Sequence, residues 1–223
     1  MKNERNKTIL NVSRSKYFVL INGTLALLFL LIIKGVLYEE QITRADAYIN
    51  KEIATLWSPA LNKTMIHVSS IFDIYQALTL LIVMSGLLLY LKRYRETALF
   101  LACMGGGEAL VFLLKNIVMR ARPENALIDA FGYSFPSGHA TVATIFFLSL
   151  IYAFKDDIKD KTMKILFIFA NVFMIGLIGL SRIYLNVHWF SDVAVGVLLG
   201  ILFFNLARSV PDVLQNRNER QAL

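Results

Sequence analysis

Residues 163–180 read MKILFIFANVFMIGLIGL, eighteen positions with a single charge, Lys164, at the leading edge. As a helix the stretch is about 27 Å long at 1.5 Å per residue, close to the roughly 30 Å of a bilayer's hydrocarbon core. It is apolar all round, so it requires lipid or protein on every side. Five further stretches share its character: Tyr17 to Leu37, Ile74 to Leu91 with a start as early as Met65, Thr97 to Val118, His139 to Phe154 and Phe190 to Ala207. The composition agrees. Of 223 residues 57% are hydrophobic and 17% charged, against roughly 45–50% and about 25% in soluble domains, and the mean hydropathy is +0.57. Disorder, collagen and disulfide scaffolds are excluded, the last because Cys103 is the only cysteine. Set in an apolar run, it reads as packing. The expected fold is therefore all-α, a polytopic bundle of six transmembrane helices.

The net charge is +7, yet no basic stripe alternates with aromatics as nucleic-acid binding needs. The bilayer is the expected partner, and cytoplasmic loops carry the excess of Lys and Arg. The amino-terminal segment holds Lys2, Arg5, Lys7, Arg14 and Lys16; the second connection holds Lys92, Arg93 and Arg95; the fourth holds Lys155, Lys159, Lys161 and Lys164; the carboxyl end holds Arg208, Arg217 and Arg220. Residues 38–64 balance Glu39, Glu40, Asp46 and Glu52 against Arg44, Lys51 and Lys63, and residues 182–189 carry only Arg182. Both termini are expected in the cytoplasm, with a basic tail at 1–16, a membrane domain at 17–208 and a polar tail at 209–223. The first span is longer than a signal-peptide core and lacks a small-x-small site before Glu39, so it is expected to be retained. Lys115, Arg120 and Arg122 lie on the outer side, against the charge rule, and call for a local reason.

Three outward clusters hold most of the unusual polar residues. In KNIVMRARP, residues 115–123, a helix continued to its end sets Lys115 and Arg122 two turns apart on one face, able to meet one anion; interfacial snorkelling is the plainer reading. In FPSGH, residues 135–139, a proline and small residues before a span make an anion site at a helix N-terminus. Ser137 adds a hydroxyl, Gly138 permits close backbone approach, and His139 in the first turn can give a proton; an ordinary capped helix start is the alternative. In SRIYLNVHWFSD, residues 181–192, His188 and Asp192 are four apart on a helical face. A carboxylate on one imidazole nitrogen frees the other as nucleophile or base, although a structural pair is equally open. Arg182 can give two parallel hydrogen bonds to a phosphate edge. Two histidines and an aspartate can also ligate zinc, but three fixed cations around the same cavity repel a divalent ion, so a metal-free phosphate site ranks first.

With those residues in place, the sequence resembles the PAP2 (type 2 phosphatidic acid phosphatase) superfamily of integral membrane lipid phosphatases, whose signature is K-x6-RP, PSGH and SR-x5-H-x3-D. Here these are Lys115 to Pro123, Pro136 to His139 and Ser181 to Asp192. The resemblance implies an active site at the outer membrane interface and no metal or cofactor. It implies that His188 attacks phosphorus, that Asp192 orients it, and that His139 protonates the leaving oxygen and then activates water. Lys115, Arg122, Ser137, the Gly138 backbone and Arg182 would hold the phosphate oxygens. The expected substrate is a membrane lipid phosphate or diphosphate, undecaprenyl diphosphate first and phosphatidylglycerophosphate or phosphatidic acid next, at the plasma membrane. Alternatives are a phosphotransferase, which passes the phosphoryl group to a lipid acceptor, and a non-catalytic lipid-phosphate or anion transporter. A vanadium haloperoxidase shares the signature but is soluble. Oligomeric state is left open.

Two acids lie in or beside apolar stretches, where an ionisable group is costly. Glu108, after three glycines, is expected to pair with a site cation or to bond across a close helix contact. Asp73, near His67, Ser69 and Ser70, is expected at the interface, outside the chemistry. Trp189 reads as a headgroup-level anchor. Residues 42–61 place Ala45, Ile49, Ile53 and Leu56 at helical spacing, which suits either an interfacial helix or a plain connector.

Overall fold

In the computed structural model, residues 2–221 form eight helices: α1 (Lys2–Tyr38), α2 (Glu40–Ala54), α3 (Pro59–Ser70), α4 (Ile74–Tyr90), α5 (Tyr94–Val118), α6 (Gly138–Phe154), α7 (Lys161–Tyr184) and α8 (Phe190–Gln221). The structure describes side-chain surroundings for residues 16–209. The tails expected at 1–16 and 209–223 therefore fall almost wholly outside the described side chains.

Every expected span lies in a helix, but the count of full-length spans changes. The part of α1 from Lys16, α5, α7 and α8 to Ser209 are each long and apolar enough to cross a bilayer. Helices α3 and α4 meet that test only as a pair bent by 48°. Helix α6, at 17 residues, is shorter. Its short length has a local cause: Ser137 caps it, accepting the Ala140 N–H, so the helix begins inside the molecule instead of running on to the surface.

Helix α6 is the axis of the bundle, packed by α5, α7 and α8. Residues 140–147 are all buried, which explains a sequence apolar on every face. Phe72, Phe100, Phe146 and Phe147 meet edge to face around it, a geometry that aligns positive ring edges with negative ring faces. Outward side chains such as Ile82, Phe112 and Phe169 are exposed; in a membrane bundle such side chains meet lipid.

Helix α8 approaches α6 through glycines. A Cβ on Gly196 would lie 2.7 Å from the Ser137 carbonyl oxygen, and one on Gly200 2.7 Å from Thr144 Cβ. No side chain fits there. The close approach lets Asp192 O accept the Ser137 N–H at 3.0 Å, which binds the second sequence cluster to the third.

Beyond the bundle, Met65, Tyr184, Leu185 and Val187 form a smaller core with Trp57, Leu61 and Ile128 around it. It seats α2 and α3 on the end of α7. The segment at 42–61 is thus helical over most of its length, and its most buried positions are polar. Asp46 and Asn50 are its buried residues, Ile49 and Ile53 are partly covered, and Ala45 and Leu56 are exposed. Helix α2 turns a polar pair toward the protein because polar partners await it there.

Candidate active site

Five element ends meet at one end of the bundle: the close of α5, the start of α6, the close of α7, the loop into α8, and the break between α3 and α4. They enclose a cavity of about 490 Å³ whose lining includes Lys115, Arg122, Gly138, His139, Arg182 and His188, with Ser69, Asp73 and Glu108. Lys115 sits in the last turn of α5. Its Nζ donates to Tyr133 O at 2.5 Å, so the ammonium is anchored by a carbonyl and keeps donors for another acceptor.

Arg122 reaches the cavity by a route the helical spacing did not predict. Helix α5 stops at Val118, and Met119 follows in the left-handed region at φ 50°. Pro123 disfavours helix at its predecessor, so Arg122 lies in an irregular loop. Its guanidinium is held on three carbonyls: Nε donates to Gly132 O (3.0 Å), Nη2 to Phe131 O (2.9 Å) and Nη1 to Val187 O (2.7 Å). Nη1 also lies 3.4 Å from His188 Nε2, so that nitrogen is beside a fixed positive charge.

His188 is buried in the turn between α7 and α8. Burial pushes its imidazole pKa down to about 3, because desolvation penalises the charged form; it is neutral at physiological pH with a lone pair available. Asp192 Oδ2 lies 3.4 Å from Nδ1. That is a loose contact, and Nδ1 makes no hydrogen bond among the described residues. Asp192 Oδ2 meanwhile accepts the Trp189 N–H at 3.0 Å.

Arg182, at the close of α7, donates through Nη1 to Ser69 Oγ, and its buried Nε has no partner among the described residues. A buried guanidinium with an idle donor suits an anion. Gly138 opens α6, and the first N–H groups of a helix have no intrahelical acceptor. His139 lines the cavity from the next position, its Nε2 3.0 Å from Asp73 Oδ1. Ser137 stands behind Gly138 as the cap, with its hydroxyl directed to Ala140 N, and is not among the lining residues.

Three residues of this end were not assigned to the site from sequence. Asp73, expected outside the chemistry, lines the cavity and pairs with His139. Arg120 and Asp46 form a buried network behind Asp192: Arg120 donates to Asp192 Oδ1 and to Asp46 Oδ2, each at 2.6 Å. Its guanidinium also lies over the Trp189 ring, whose Nε1–H donates to Ala121 O. Trp189 therefore packs the site loop. Among the described residues Glu108 has no ion-pair partner, and it lines two spaces. The second is a groove of about 440 Å³ lined by Phe72, Ala77, Leu78, Leu81, Met104 and Val142, which adjoins the first through Glu108, Gly138 and His139. Among the described residues, no three His, Cys, Asp or Glu side chains group as a metal cage.

Comparison with known proteins gives a consistent result. A family model described as the PAP2 superfamily matches residues 96–215, more than half of the chain. Phosphatidylglycerophosphatase B of Bacillus subtilis is 28% identical over 196 residues, covering 86% of this chain and 96% of that protein. An undecaprenyl-diphosphatase of Sulfolobus acidocaldarius is 31% identical over 128 residues, 52% of this chain and 56% of that one. Among solved structures, a transmembrane PAP2-type phosphatidylglycerolphosphate phosphatase from Bacillus subtilis superposes with a TM-score of 0.76 at 26% identity, over 86% of this chain and 96% of that one.

Proposed function

The chain belongs to the PAP2 superfamily of phosphatases, and on that premise we propose that it hydrolyses the terminal phosphate of a membrane lipid through a phosphohistidine at His188. One observation carries the proposal: His188, its Nε2 3.4 Å from Arg122 Nη1, borders a cavity that also presents Lys115, Arg122, Arg182 and the start of α6, with His139 on its wall. The adjoining apolar groove supports an amphiphile, because one end of the ligand meets cations and the other meets hydrocarbon.

In the first step the His188 Nε2 lone pair forms a bond to phosphorus as the bond to the lipid oxygen breaks. His139 gives its proton to that oxygen. Lys115, Arg122, Arg182 and the Gly138 N–H hold the non-bridging oxygens, where the charge of a loose transition state is spread. Asp192 offsets the positive charge that the phosphorylated imidazole acquires. In the second step His139 takes a proton from water, the water oxygen bonds to phosphorus, the N–P bond breaks and inorganic phosphate leaves.

The relative aligned over 96% of its own length is named for phosphatidylglycerophosphate, which moves that lipid ahead of undecaprenyl diphosphate as the proposed substrate. The charge distribution of the connections supports a site on the outer face of the plasma membrane with both termini inside. Because Cys103 is fully buried, an impermeant thiol reagent on cells carrying Glu124→Cys tests this sidedness; labelling only after permeabilisation contradicts it. The substrate is tested with purified protein, magnesium chelated, on phosphatidylglycerophosphate, phosphatidic acid and undecaprenyl mono- and diphosphate. Release of inorganic phosphate is expected. Transfer of label to a lipid acceptor favours the phosphotransferase, and turnover of none of the four contradicts the proposal.

A further inference from the structure

Asp46 and Arg120 do not line the cavity, yet four hydrogen bonds tie them to Ser191 and Asp192 at the start of α8, and a fifth joins them to each other. Arg120 Nη2 donates to Asp46 Oδ2 (2.6 Å), and Nη1 donates to Asp192 Oδ1 (2.6 Å) and Ser191 Oγ (2.8 Å). Asp46 Oδ1 accepts the Ser191 N–H (2.9 Å), and Oδ2 accepts the Ser191 hydroxyl (2.5 Å). Asp46 is 2% exposed and Asp192 fully buried. One turn along α2, Asn50 Nδ2 donates to Asn186 Oδ1 and to the His188 carbonyl. The inward polar face of α2 thus grips the back of the loop that carries His188.

We propose that Asp46 and Arg120 are positioning residues for the nucleophile, acting through Asp192. The proposal rests on the phosphohistidine mechanism above. A carboxylate can turn about its Cβ–Cγ bond; Arg120 fixes Oδ1, and Oδ2 is then presented to His188 Nδ1. The guanidinium alone would neutralise Asp192 and weaken its support for the imidazolium that forms on phosphorylation. Asp46 supplies the second carboxylate, so the buried group of two acids and one arginine keeps a net negative charge facing His188. Removing that charge weakens a stabilisation that exists only when His188 is cationic, and such a loss falls on kcat and not on KM.

The test is steady-state kinetics of the full-length protein in detergent on the lipid that wild type hydrolyses best. Asp46→Asn keeps size and one oxygen to accept the Ser191 N–H but loses the charge and the second acceptor, which Arg120 and the Ser191 hydroxyl use. Its kcat is expected to fall about 10- to 100-fold, the scale on which outer partners of a functional histidine act, with KM within about twofold. Arg120→Lys keeps the charge but cannot span two carboxylates; the same loss in kcat is expected. Because both act on one carboxylate, the double variant should lose far less than the product of the two factors. Arg44→Ala, on the exposed face of the same helix, should retain wild-type kinetics. Wild-type kcat in folded Asp46→Asn, a loss confined to KM, or multiplying losses in the double variant overturns the proposal. Should Asp46→Asn not fold, wild-type kcat in Arg120→Lys overturns it alone. Wild type that turns over with label trapped on His188 while both variants are unaffected overturns only this positioning role. Wild type that hydrolyses no lipid phosphate overturns the parent mechanism with it.

Discussion

His139 Nε2 lies 3.0 Å from Asp73 Oδ1, a contact that joins the first turn of α6 to the break between α3 and α4. The carboxylate faces the histidine assigned to proton transfer, holds its ring, and leaves Nδ1 as the second nitrogen. Asp73→Asn is expected to slow single-turnover release of the lipid alcohol about tenfold, part of the 10²–10⁴ that a positioned acid contributes. A phenolic ester, which leaves without a proton, should be slowed much less. Equal slowing of both substrates would show that Asp73 does not act through the proton donor.

Arg182 lines the cavity, and its buried Nε has no hydrogen-bond partner among the described residues. Arg182→Lys retains a cation but loses the planar fork, and a charged hydrogen bond of about 1.5–3 kcal/mol corresponds to a fall in kcat/KM of about 10- to 150-fold. Undiminished kcat/KM in that variant would remove Arg182 from phosphate binding.

The buried His188 makes stability depend on pH in a stated direction. Its imidazole value is near 3 when folded and about 6.5 when unfolded, so the unfolded chain binds the extra proton. The stabilisation is whole above about pH 6.5 and is lost as pH falls toward 3; at pH 5 the loss is about 2 kcal/mol. Thermal unfolding in detergent at pH 7.5 and pH 5 should show a larger drop for wild type than for His188→Asn. Equal drops would contradict the buried, neutral imidazole.

The three clusters were legible because each is local: a cation before a proline, a small-residue helix start, and His-x3-Asp within one turn. The helices were legible from apolar length alone. Asp46, Asp73 and Arg120 were not, since their partners lie 66 to 145 residues away in the chain. Asp46 sat in a segment read only for its apolar spacing, and Arg120 was masked by two neighbouring cations. Arg122 reached the cavity as expected but from a loop, which Pro123 signalled more truly than the seven-residue spacing did. The bend between α3 and α4 had no clear apolar signal either, because the break at residues 71–73 retains Ile71 and Phe72.

The most direct test is to trap the phosphoenzyme. Wild-type protein mixed with lipid labelled at the terminal phosphate and quenched in alkali should carry base-stable, acid-labile label on the peptide containing His188. His139→Ala, impaired in both steps, should release inorganic phosphate more slowly, and His188→Ala should carry no label. Label that persists in His188→Ala, or hydrolysis by wild type with no labelled His188 at any quench time, would contradict the account.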